Sequence, residues 1–219
     1  MADIDQSLVA RTNALVNRFN VAIARLAGPP VDLRVFFTFA HCYITKKIAQ
    51  HIDLFANPNS LMRLNEIFAT TYLNAIEGAP HADWQKAFNV CRGEQDAVRS
   101  GFIGLIFIGP VAFEGCGACM ANVHINRDLK DALTQITDVD AQDYGNILIF
   151  VMRGNIYAET KIRGQAKGAL MIMTSLPFAG KLNLDVKAWR NKVFKDCYGK
   201  DVPQPSDDFV SQVNKREGI

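Results

Sequence analysis

The chain has 219 residues, 49% of them hydrophobic, 10% aromatic and 21% charged, with a formal net charge of +2. That length suits one compact domain, and the apolar content fills a sizeable core, which excludes wholesale disorder. So small a charge gives no electrostatic hold on DNA, RNA or anionic lipid, and an odd five cysteines argue against a disulfide-stapled secreted module.

The acidic start, Met1 to Gln6, lacks the basic and apolar regions of a signal peptide. From there the apolar period is helical. Leu8, Leu15, Val16, Phe19, Ile23 and Leu26 predict a first helix ending at Gly28-Pro29-Pro30. A second runs from Asp32, its N-cap, through Phe36, Phe37, Phe39, Ile44 and Ile48 toward Ile52. The cluster Asn57-Pro58-Asn59-Ser60 opens a third that carries Leu61, Leu64, Ile67, Phe68, Tyr72, Leu73 and Ile76 and closes at Gly78. A short helix spans His81 to Cys91 around Trp84 and Phe88.

Beyond Arg92-Gly93-Glu94 the longest helical stretch begins, with a kink or break expected at Gly109-Pro110, and it resumes through Ile136. Its apolar run Gly101 to Phe113 is shorter than the ~20 residues of a membrane span and reads as core. Asp138 and Asp140 cap a helix bearing Tyr144, Ile147, Leu148, Val151 and Ile156; Gly164 and Gly168 flank a shorter one; Leu184 to Tyr198 gives the last strong one. Residues 201–219 begin with a polar, proline-rich stretch and read as a surface arm. The prediction is an all-α, single-domain bundle of seven or eight helices over residues 1–200.

Two constellations carry candidate chemistry. Cys116-Gly117-Ala118-Cys119 has the spacing of a redox pair, but its flanks are helical rather than βαβ, and small residues at a crowded helix crossing is the simpler reading. Adding His124 as a metal ligand fails on angle, because five helical positions place it about 140° from Cys119. The second is Asn122-Val123-His124-Ile125-Asn126-Arg127-Asp128. His124 and Asp128 lie four apart on one helix face, so the carboxylate orients and charge-stabilises the imidazole; Asn122 and Asn126 share a different face. A purely structural polar network accounts for these residues equally well.

The run Asn122 to Leu129 resembles the Asn-Ala-His-Ile-Asn-x-Asp-Leu signature of an uncharacterised, mainly bacterial all-helical domain family. The segment Arg63 to Ile76, with Phe68-Ala69-Thr70-Thr71-Tyr72-Leu73 at its centre, is similar to that family's other recurring segment. The resemblance covers the middle third of the chain and implies a helical fold without naming a reaction. The chain departs from the pattern at Asn65, where an acidic residue is expected, and at Cys116 and Cys119.

The functional expectation is a cofactor-independent enzyme acting on a mostly apolar small molecule by cyclisation, isomerisation, dehydration or simple hydrolysis. His124 is its acid/base group and Asp128 the orienting carboxylate, with Glu66 and Tyr72 opposite as the acid; Asn122, Asn126, His41 and Glu114 complete the substrate contacts. His41 also reads as a core histidine bonded to a carbonyl, and His51 and His81 as exposed. No metal, nucleic acid or membrane partner is expected; the location expected is cytoplasmic, and a homodimer is compatible with the chain. The rival expectations are a non-catalytic helical binding or scaffold protein and a metal-dependent hydrolase built on His124 and Asp128.

Overall fold

The computed structural model describes residues 3–28, 32–99, 109–165 and 178–219; within these, the side chains of 97–99, 109–114, 162–165 and 178–181 are not described. The fold is all-α, with no strand among the described residues. Helix α1 (Gln6–Leu26) starts where the Asp5 side chain accepts from the Ser7 N–H, and it buries Leu8, Thr12, Leu15, Phe19, Ala22 and Leu26. Helix α2 (Val35–Gln50) follows, then a single 3₁₀ turn (Ile52–Leu54). Helix α3 (Pro58–Glu77) is capped as its sequence predicts: Asn57 accepts from the Ser60 N–H, Pro58 takes the first turn, and Gly78 closes it at φ +123°.

Helix α4 (Ala82–Arg99) runs past the expected end at Cys91, because Gly93 alone costs about 1 kcal/mol and does not stop a helix. Next comes one long rod in three parts: α5 (Gly109–Val123), a π-helical turn (His124–Leu129) and α6 (Lys130–Gln135). Asp140 caps α7 (Ala141–Asn146), which leads through Ile147 into α8 (Leu148–Gln165). Helices α9 (Phe178–Tyr198) and α10 (Asp207–Glu217) complete the bundle. Most of the apolar run 101–113 and the segment expected between Gly164 and Gly168 lie outside the described residues. Among those described, no helix is long and apolar enough to cross a membrane.

The C-terminal arm is where the fold departs most from expectation. Residues 207–217 form a capped helix that buries Phe209 and Val213, so the segment belongs to the bundle. Arg216 forks onto Asp53 at 2.7 Å, and Glu217 gathers Lys47 at 2.6 Å, Arg153 at 2.8 Å and His51 at 3.2 Å. His51 is therefore buried rather than exposed, and Arg153 is committed to this pairing.

Two apolar clusters form the core. One, around Phe36, Phe39, Ile48, Leu61, Leu129, Leu133, Tyr144, Phe150 and Phe194, joins α2 and α3 to the second half of the chain. The other, around Phe19, Tyr72, Leu73, Trp84, Phe88, Cys116 and Met120, joins α1, α3, α4 and α5. A disulfide between Cys91 and Cys116 ties α4 to α5, while Cys42, Cys119 and Cys197 are free. Cys116 is thus disulfide-bonded to α4 rather than simply packed at a helix crossing, which corrects the simpler reading for this residue, while Cys119 stays free. α2 and α8 run antiparallel, with His51 stacked on Phe150 at one end and Tyr43 against Tyr157 at the other.

That crossing depends on Gly154, where an added Cβ meets the Ala40 carbonyl oxygen at 3.0 Å and Ile44 at 3.2 Å. Gly154→Ala gains about 1 kcal/mol of helix propensity but overpacks a contact, at a cost of about 1–3 kcal/mol. Urea unfolding is expected to show a net loss of stability, whereas Gly93→Ala, with nothing within 4 Å, is expected to stabilise. The disulfide closes a loop of sequence separation 25. Its reduction is expected to lower the unfolding free energy by about 2–4 kcal/mol, read from the same urea curves with and without reductant.

Candidate active site

Asp128 is 2% exposed, and its carboxylate is met from three sides. His124 Nδ1 lies 2.9 Å from Oδ2, the indole N–H of Trp84 donates to the same oxygen at 2.9 Å, and His81 Nε2 approaches Oδ1 at 3.2 Å. An ionised carboxylate only accepts, so Nδ1 of His124 carries the proton and Nε2 keeps its lone pair. The same reasoning fixes His81: its Nδ1 accepts from the Trp84 backbone N–H at 3.4 Å, and Nε2 donates to Asp128. Burial alone pushes the Asp128 carboxyl upward; the His124 bond and charge, with the His81 and Trp84 donors, outweigh it and hold Asp128 below the usual range.

The π-helical turn contains both partners and lies at the border of the two apolar clusters. Wide turns of this kind recur at functional positions in helices. Around His124 the packing is aromatic: Phe68 stacks on the imidazole with centroids 3.5 Å apart, Phe37 meets it edge-on at 5.4 Å, and Trp84 lies at 5.8 Å. Burial lowers the His124 pKa, with Asp128 opposing it, so the ring is neutral near pH 7. Its Nε2 is buried and has no hydrogen-bond partner.

His124 lines a cavity of about 80 Å³ whose walls, from α2, α3, α5, α7, α8 and α9, are mostly apolar and carry His41, Asn65, Asn155 and Arg190 among the apolar side chains. A water needs only ~10–15 Å³ of such space, so there is room for a small molecule or several waters. His41 stands beside His124 with ring centroids 4.6 Å apart, and neither of its nitrogens has a partner. Burial, helped by His124, drives the His41 pKa well below 6.5. Asn65 accepts from the Thr45 hydroxyl at 3.4 Å, and its Nδ2 is unpartnered in the same wall. Buried polar atoms are rarely left unpaired, and here they collect around one space.

The other expected residues lie elsewhere. Glu66, one position past Asn65, turns toward α1 and pairs with Arg11 at 2.7 Å, partly exposed and away from the cavity. Tyr72 is buried near His124 at 5.7 Å between centroids, but its hydroxyl is bound to Thr38 at 2.7 Å and burial raises its pKa, so it is not poised to give up or accept a proton. Asn122 and Asn126 are exposed and line a shallow surface groove with Asp83 and Cys119. The Glu114 side chain lies outside the described residues. Among the described residues no group of three His, Cys, Asp or Glu is arranged to hold a metal ion.

Three residues of the site were not anticipated: His81, Trp84 and Arg190. The last had a signal, since it interrupts the apolar row Leu182, Val186, Val193 and Phe194 on α9. Comparison with protein-family models, curated proteins and solved structures finds no match to this chain.

The buried histidines set a pH dependence. His41 and His124 are both held below 6.5, so below that pH the unfolded chain takes up protons that the native state refuses. Stability is expected to fall with acid below about pH 6.5, by up to ~1.4 kcal/mol per pH unit for each such histidine. Asp128 adds a loss at lower pH, its contribution being present above 3.8 and lost as the pH falls through its depressed native value. Urea midpoints at pH 7.5, 6.5 and 5.5 check this, and His41→Phe is expected to make the slope shallower.

Proposed function

We propose that this protein is an enzyme that works without a bound cofactor on a mostly apolar small molecule, with His124 as its acid/base group and Asp128 as the orienting carboxylate. The observation that carries the reading is the unpaired Nε2 of His124 in the wall of the cavity. Asp128 fixes the tautomer that leaves this lone pair free, and its negative charge stabilises the imidazolium that forms when the ring takes a proton. Burial keeps the ring neutral near pH 7, in the form that can accept a proton. An apolar molecule that fills the cavity displaces water that would compete for the proton.

In this scheme Nε2 takes a proton from an acidic C–H or O–H of the substrate. The imidazolium then returns it at another atom, giving isomerisation or ring closure, or delivers it to a departing hydroxyl, which leaves as water. His41, also neutral, offers one N–H donor and one lone pair to a polar group of the bound molecule, and Asn65 Nδ2 offers a donor. Glu66, Asn122 and Asn126 have no part in this scheme.

A second reading has its own support. The cavity and its unpaired polar atoms suit a non-catalytic binding protein equally well up to the chemical step. Solvent-deuterium exchange separates the two. Incubated in D₂O with decan-2-one, the wild-type protein is expected to accelerate exchange at the carbons beside the carbonyl. His124→Gln is expected to lose that acceleration by about 10²-fold or more, the scale of general acid–base catalysis. A ketone that occupies the protein yet exchanges equally with wild type and His124→Gln would leave only the binding protein.

A further inference from the structure

The cavity has a direction. α2 contributes Phe37 and His41 at one end and Ile48 at the other; along the axis Ile48 is eleven residues and about 16 Å from Phe37, and seven residues and about 10 Å from His41. Because α8 runs antiparallel to α2, Asn155 lies near the His41 end, while Tyr144 and Ile147 close the Ile48 end. A volume of about 80 Å³ drawn out over that length leaves a narrow bore. Carbon atoms in contact sit ~3.5–4.0 Å apart, so such a bore suits a single file of carbons rather than a fused ring system.

At the Tyr144 end stands Arg190, 6% exposed. Its Nη2 donates to the Tyr144 carbonyl at 3.1 Å, and its guanidinium lies over the Tyr144 ring at 4.4 Å. Its Nη1 is buried with no hydrogen-bond partner, and among the described residues no carboxylate pairs with it. A guanidinium carries its charge at every accessible pH, and a buried charge without a counter-ion is costly. Arg190 on an otherwise apolar stripe of α9 is therefore a cation in want of an anion, held in the cavity wall by contacts that leave one nitrogen free.

We infer that the cavity takes a slender, chain-like carboxylic acid, its carboxylate held by Arg190 and its far end lying against His124 and His41. This rests on the reading of the cavity as a substrate site and narrows it to a class: medium-chain acids whose reactive position lies several carbons from the carboxylate. A carboxylate accepts from Nη1 and cancels the buried charge. The chain fills the bore between Ile48, Leu61, Leu64 and Val151, and a functional group at the other end meets the lone pair of His124.

The test uses decanoate and decan-1-ol, equal in chain length and differing in charge, titrated calorimetrically into the full chain below micellar concentrations. Wild type is expected to bind decanoate at least tenfold more tightly than decan-1-ol. Arg190→Met is expected to erase that preference while keeping the alcohol's affinity, and Arg190→Lys to retain part of it. Should Arg190→Met fail to fold, judged by its circular dichroism melt, the wild-type comparison and Arg190→Lys decide. Equal affinity of wild type for acid and alcohol would overturn the carboxylate anchor and leave the cavity reading standing. If neither ligand binds while decan-2-one still exchanges deuterium, the chain-acid class falls and the enzyme remains; if neither binds and no exchange occurs, both fall.

Discussion

The structure turns on one buried carboxylate. Asp128 is desolvated, and it is tolerable inside an aromatic core only because His124, Trp84 and His81 all point donors at it. Those donors come from the π-helical turn, from Trp84 in α4 and from His81 just before α4, so satisfying the charge also fixes where α4 and the turn sit relative to each other. Removing one donor from such a set leaves a charged acceptor under-satisfied, which costs more than the net value of an ordinary hydrogen bond. Trp84 contributes twice, since its ring fills the second apolar cluster while its N–H completes the carboxylate. The same contact that holds the helices also sets the tautomer of His124.

This coupling explains why the cavity carries unpaired polar atoms in a protein otherwise well packed. The Asp128 side of His124 is closed and satisfied; the Nε2 side is open to the cavity. Phe68 and Phe37 hold the imidazole plane so that it cannot rotate to trade one side for the other. A ring clamped in this way is pre-organised, and the unpaired atoms of His41, Asn65 and Arg190 around the same space show the same pattern on three further helices. Stability and binding readiness thus compete at a small number of named atoms.

Much of the fold is written in local sequence. The three- and four-residue steps of Leu8 to Leu26, the Asn57-Pro58 start and the Gly78 stop each reappear as helix faces and caps. Residues 207–217 were obscured because Pro203 and Pro205 dominate the segment, while Phe209 and Val213, only four apart, form too short an apolar face to stand out. The His124–Asp128 pair was legible because four-residue spacing is a local property. Trp84 and His81 reach Asp128 across 44 and 47 residues, which no local spacing encodes. Asn122 and Asn126 repeat the same four-residue spacing one face away, and a period alone does not say which face is buried. Glu66 misled for the same reason: one position along α3 separates the cavity wall from the surface pair with Arg11.

The π-helical turn has a geometric consequence of its own. In an α-helix a four-residue step overshoots a full turn by about 40°, so residues taken four at a time spiral around the rod. A wider turn takes more residues to come round, and the same step then falls short instead. Passing from α5 into His124–Leu129 therefore turns the drift back on the last of the steps Cys116, Met120, His124 and Asp128, instead of letting it accumulate along the file. All four are buried, with the disulfide sulfur at one end of the file and the carboxylate at the other. Both ends of that file are fastened to α4, at Cys91 and at Trp84 with His81, so the two rods are latched at two points rather than hinged at one.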